Sequence, residues 1–133
     1  MKKLLLIPLI AALSSCALYD AYVTAHFDNN EYELINDIRT LSNQSANLCG
    51  KPEAAQAVEN LYTMTLKFKN YSEYIPHNEE TQKVGAELEE IVKDFRDTYR
   101  KPEPVGMFYC TTKFATIERN AVNVQNIVGR KPR

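Results

Sequence analysis

The chain has 133 residues, 44% of them hydrophobic, with three cysteines and a formal charge of -1. A body so near neutral argues against nucleic acid as the main partner, because a phosphate backbone demands a basic face. The length suits one domain that buries its own core without a metal cluster or several disulfides.

The chain opens with Lys2 and Lys3, followed by an apolar run from Leu4 to Leu13 that is too short to span a bilayer as a stable helix. This is the layout of a secretory signal. The run ends in Leu13-Ser14-Ser15-Cys16: a branched apolar residue, two small residues and a cysteine. The segment resembles the lipobox of bacterial lipoproteins, in which the cysteine is lipidated and becomes the mature N-terminus. That resemblance implies a cleaved signal peptide over 1–15 and membrane lipid bound through acylated Cys16; the remainder, 16–133, reads from its length and the apolar spacing below as a single helical domain. With Ala17 rather than Asp after the cysteine, it also implies delivery to the outer membrane, on the periplasmic face. Several acyl chains hold firmly, since each buried methylene adds roughly 0.8 kcal/mol. The competing reading is an ordinary signal whose cut site happens to precede a cysteine. Cleavage removes Lys2 and Lys3 and no acid, so the 118 residues left of 133 carry a charge of -3.

Four segments then carry apolar residues at helical spacing. In the first, roughly 18 to 48, the stripe is Tyr19, Tyr22, His26, Leu34, Ile38, Leu41, Ser45 and Leu48. Asp28-Asn29-Asn30 interrupts it, either kinking the helix or capping a new one after Asn30 with Glu33 in the capping-box place. Cys49-Gly50-Lys51-Pro52 ends the segment: Gly50 suits a left-handed helix end and Pro52 the first turn of the next helix. The second stripe is Ala57, Leu61, Met64, Phe68, Tyr71 and Ile75, closed by Pro76-His77. Asn78 is placed to cap the third helix, with Glu79 and Glu80 at its positive end. The third stripe is Val84, Leu88, Ile91, Phe95 and Thr98 or Tyr99; Pro102, Pro104 and Gly106 stop it. The fourth is Met107, Cys110, Phe114, Ile117, Ala121, Val124 and Val128, ended by Gly129 and Pro132. Short breaks favour antiparallel neighbours, so the expected fold is all-α, an up-down-up-down four-helix bundle.

With Cys16 assigned to lipid, Cys49 and Cys110 remain as a pair in an oxidising compartment, and the bundle topology brings both to the same end. A disulfide is the leading reading. Two free thiols or a metal pair are the alternatives, the latter without a C-x-x-C or neighbouring histidine to support it.

Chemistry is sparse. His26 and His77 both fall toward the membrane end near Asp28, Glu79 and Glu80, but match no metal-ligand spacing; packing for His26 and a loop place for His77 are the simpler roles. Met64 and Met107 sit on seams, where methionine is core, and no haem attachment motif is present. No catalytic constellation or phosphate-cradling loop can be assembled, so the chain is expected not to be an enzyme and to need no cofactor. Glu87, Glu89, Glu90, Asp94 and Asp97 alternate with Lys83, Lys93 and Arg96, which reads as a solvated, ion-paired face.

Of eight tyrosines, Tyr32, Tyr62, Tyr74 and Tyr109 lie off the seams. Tyr99, Phe108 and Tyr109 form a candidate partner-binding patch at the far end beside the disulfide, the alternative being aromatic filling of the bundle end. Tyr19 and Tyr22 suit the membrane interface, and Arg130, Lys131 and Arg133 suit either anionic headgroups or the last helix dipole. In its organisation of lipobox plus compact helical domain, the chain resembles small lipoproteins, including phage-encoded ones that block receptors or modify the host envelope. That likeness implies a binding or structural module with an envelope protein as partner. An inhibitor or regulator of an envelope enzyme such as a lysozyme is the second expectation, and a metal-dependent enzyme or metal carrier using His26 and His77 the third.

Overall fold

The structure, a computed structural model, describes residues 24–133. The leader, Cys16, Tyr19 and Tyr22 lie outside the described residues. Residues 24–28 are not helical, although the periodicity predicts helix through them. Their alternate amides are taken elsewhere: Ala25 N donates to His77 O at 3.2 Å and Phe27 N to Pro132 O at 2.8 Å. Asp28 then ends the extended stretch and caps the first helix by accepting from Glu31 N at 2.8 Å. The interruption at Asp28-Asn29-Asn30 is therefore a helix start, two residues earlier than the sequence suggests.

Helix α1 (Asn29–Ser45) closes in a 3-10 turn at Ala46–Leu48, and Gly50 takes the left-handed conformation expected of it, with φ +82°. Pro52 occupies the N-cap of α2 (Glu53–Glu73), one residue short of the first turn. Helix α3 (Glu79–Tyr99) carries Glu79 and Glu80 in its first turn, where they face the positive end of the dipole. Asn78 is its N-cap residue, but the Asn78 side chain makes no cap bond; it is buried and used elsewhere. Helix α4 (Met107–Gly129) completes the bundle.

The four helices form an all-α bundle in which α1 packs most extensively on α4 and α2 on α3. The α1/α2 and α3/α4 seams are slighter. Ile35, Ile38, Leu61, Phe68, Leu88, Val92, Phe95, Phe114 and Ile117 make the centre of one continuous core. In α1, α2 and α3 the fully buried line runs about one residue beside several of the large apolar residues of the stripes. Ile35, Ser42, Thr65, Ser72, Thr81, Gly85 and Val92 are inside, while Leu34, Leu41, Met64, Val84 and Ile91 flank them, partly buried. Small residues on the buried line let the backbones approach. The hydroxyls of Ser42 and Thr65 satisfy themselves on the carbonyls of Ile38 and Leu61, each at 2.8 Å. The α4 seam is as the periodicity predicts except at Met107, which is 63% exposed because the first turn of α4 projects past the bundle end.

Cys49 and Cys110 form a disulfide with Cα atoms 5.7 Å apart, joining the end of α1 to the first turns of α4. Among the described residues no helix is long and apolar enough to cross a membrane.

Candidate functional site

The disulfide end carries the aromatic residues singled out in the sequence, and the structure divides them between two roles. Phe95 is fully buried, and Tyr99, Tyr109 and Phe114 stand edge-on around it with ring centroids at 5.3, 6.1 and 5.1 Å. Tyr99 is partly buried, and its hydroxyl donates to Cys110 Sγ at 3.0 Å. Burial pushes the Tyr99 phenol pKa above its ordinary value. Tyr99 is thus bundle-end packing that backs the disulfide.

Phe108 faces the other way. It is 84% exposed, beside Met107, and Tyr109 is half-exposed at their flank. The Tyr109 hydroxyl lies 3.3 Å from Thr98 Oγ1 and the Lys113 ammonium 5.5 Å from its ring, so this side chain is steered although open to solvent. A shallow cavity of about 160 Å³ adjoins Tyr109, lined by Thr98, Lys101, Glu103, Pro104, Val105 and Gly106. The Met107 methyl sits above Gly50, 3.1 Å from where a Cβ would stand. The left-handed glycine and the disulfide therefore fix the floor under an apolar step made of Met107 and Phe108. Periodicity placed Met107 in the core; only the position of the helix start relative to the bundle end shows that it is outside.

The opposite end, where residues 25–28 meet the C-terminal tail, holds a polar cluster that no motif announced. Glu31 is fully buried in α1 and makes an ion pair with Lys131, just past α4. Asn78 joins them, donating to Glu31 Oε1 at 2.7 Å and to Ser72 O at 3.1 Å, and accepting from Lys131 Nζ at 2.6 Å. Asp28 and Tyr71 form a second link, with the Tyr71 hydroxyl donating to the Asp28 carboxylate at 3.1 Å. These contacts tie α1, the end of α2, the start of α3 and the C-terminal tail into one knot. The basic tail is therefore largely occupied: Lys131 is in the knot and the Arg133 guanidinium lies 4.9 Å over the Phe27 ring. The signal that was available is Glu31 itself, a carboxylate on the helical register of Ile35 and Ile38.

His26 and His77 do come to one end, lining a cleft of about 240 Å³ with Phe27, Ile75 and Pro76. His26 is exposed rather than packed, and His77 holds the turn with φ +59°. Among the described residues no three His, Cys, Asp or Glu side chains are grouped to hold a metal ion. Among the described residues the carboxylate face of α3 is solvated more than paired: of its acids only Asp97 forms an ion pair, with Arg96 at 2.8 Å, and Glu87, Glu89, Glu90 and Asp94 form none. No family model, curated protein or solved structure matches the chain.

Proposed function

We propose that the protein is a membrane-anchored, periplasm-facing lipoprotein, held by acylated Cys16 in the outer membrane, that serves as a binding module on an envelope protein. Met107, Phe108 and Tyr109 supply the contact surface, with Tyr99 holding it from behind. In this reading the chain is not a catalyst. The single observation that carries the proposal is Phe108, which is 84% exposed although Phe68, Phe95 and Phe114 are completely buried. Covering a phenylalanine of this kind contributes roughly 1.5–3 kcal/mol to association. Its neighbours are already fixed by the disulfide and the Phe95 cluster, so little ordering entropy opposes binding. The test is crosslinking in cells, with Cys16→Ser as the control for anchoring and Phe108→Ala as the control for the surface. The expected result is one dominant envelope protein captured by the native chain and lost with Phe108→Ala at unchanged melting temperature. Capture of a surface receptor would assign receptor blocking or envelope modification, and capture of a cell-wall hydrolase would assign inhibition. A folded Phe108→Ala protein that captures the same partner as efficiently overturns the surface assignment.

A further inference from the structure

The end of the bundle opposite Phe108 also presents apolar side chains to solvent. Tyr74, at the close of α2, is 87% exposed, the highest of any large hydrophobic side chain among the described residues. Ile75 is half-buried and Pro76 exposed, so the α2–α3 turn ends in an apolar tip. Beside this tip the described chain begins: Ala25 N is bonded to His77 O, and Thr24 and His26 share a cleft with Ile75 and Pro76. Only seven residues, spanned in eight Cα-to-Cα steps, separate Thr24 from Cys16. Fully extended, they reach no more than about 28 Å. Helix α4, with 23 residues, is about 35 Å long, so the tether is shorter than the bundle.

We infer that the Tyr74-Ile75-Pro76 turn rests in the interface of the same membrane that holds the anchor. The inference rests on the lipid anchor at Cys16. Tyrosine is the residue type suited to this position, since its ring enters the acyl boundary while its hydroxyl stays among headgroups. The surrounding charge decides the mode of contact. Arg130 is exposed at this end and Lys67 lines a cleft with Tyr74, but Glu79 and Glu80 in the first turn of α3 offset them and Glu73 pairs with Lys69. Anionic lipid is therefore not what attracts the tip; apolar insertion is, and raised salt leaves it in place.

The chain contains no tryptophan, so a single introduced indole reports its own surroundings. Mature lipidated protein carrying Tyr74→Trp is placed in phosphatidylcholine vesicles with brominated acyl chains, and Phe108→Trp marks the far end. Ile75→Trp substitutes if Tyr74→Trp does not fold. The expected result is that the indole at 74 shifts to shorter wavelength and loses most of its emission to the bromines at low and high salt alike, while that at 108 keeps its emission. If the protein floats with the vesicles and the indole at 74 remains fully open to aqueous iodide, the docking is overturned and the anchor stands. Protein that does not float overturns both. A blue shift that appears without vesicles and grows with protein concentration assigns the tip to a second copy and also overturns the inference.

Discussion

At the scale of single residues the knot around Glu31 governs stability more than any surface ion pair. Glu31 and Lys131 are 0% and 7% exposed in their side chains, so neither has water to fall back on. Removing one partner strands the other, and buried charges left this way cost about 3–5 kcal/mol. Lys131→Met is expected to lower the unfolding free energy measured in urea by that order, and adding Glu31→Leu is expected to restore most of the loss. A single variant with native stability would show that the pair carries no weight. Glu59 and Asp97 behave differently, being solvent-facing. The hydrogen bond from Arg100 holds the Glu59 carboxyl below its ordinary 4.5, and the hydrogen bond from Arg96 holds Asp97 below its ordinary 3.8. A folded pKa below the unfolded one stabilises above the unfolded value, and the contribution fades as pH falls through the folded value. Stability is therefore expected to decline on acidification below about pH 4.5, and Arg100→Gln to flatten that decline in acid unfolding curves. The sequence hinted at Glu31, a charge on an apolar register, but not at its partner. Lys131 lies 100 residues away and only the folded tail brings it back.

At the scale of helices, the sequence identified the four α-helices of the described residues and nearly every break between them, because Gly50, Pro52, Pro76, Pro102 and Gly106 act through local backbone geometry alone. The buried line within each helix was harder to read. Periodicity finds the face where large apolar residues cluster, yet close packing of α2 on α3 reserves the line of nearest approach for Thr65, Ser72, Thr81 and Gly85. Gly85 is one close approach, where an added Cβ would stand 3.1 Å from Cε1 of the fully buried Phe68 ring. Gly85→Val is expected to destabilise by roughly 1–3 kcal/mol, measured by denaturant unfolding, because overpacking here pushes an aromatic ring that has no room to move. An unchanged midpoint would mean that the two helices part easily. The extended stretch before α1 escaped prediction for a different reason: the amides of Ala25 and Phe27 are claimed by carbonyls of His77 and Pro132, which periodicity cannot see.

At the scale of the molecule, the bundle is two well-packed pairs, α1 with α4 and α2 with α3, pinned to each other at both ends. At one end Asn78 and Tyr71 reach across to Glu31 and Asp28; at the other Tyr99 and Thr98 reach Cys110 and Tyr109. The disulfide closes the α1/α4 pair across 61 residues of chain, which contributes about 4 kcal/mol in the chain-entropy account. Cys49→Ser or Cys110→Ser is expected to lower the melting temperature by roughly 15–25 °C, and reduction of the native protein to do the same. An unchanged melting curve would remove the disulfide from the account of stability. The pairing was legible in the sequence because the expected compartment and the topology pointed to it independently, whereas of the apolar step above it Phe108 was singled out and Met107 was assigned to the core. The strap at residues 25–28 sets how the molecule bears mechanical load. A pull applied at Thr24 meets first the bonds from Ala25 to His77 and from Phe27 to Pro132, then the Asp28 cap, and only then the buried knot at Glu31. Tension is thus spent on a peelable strap fastened to the C-terminal tail and the α2–α3 turn before any helix is drawn from the core.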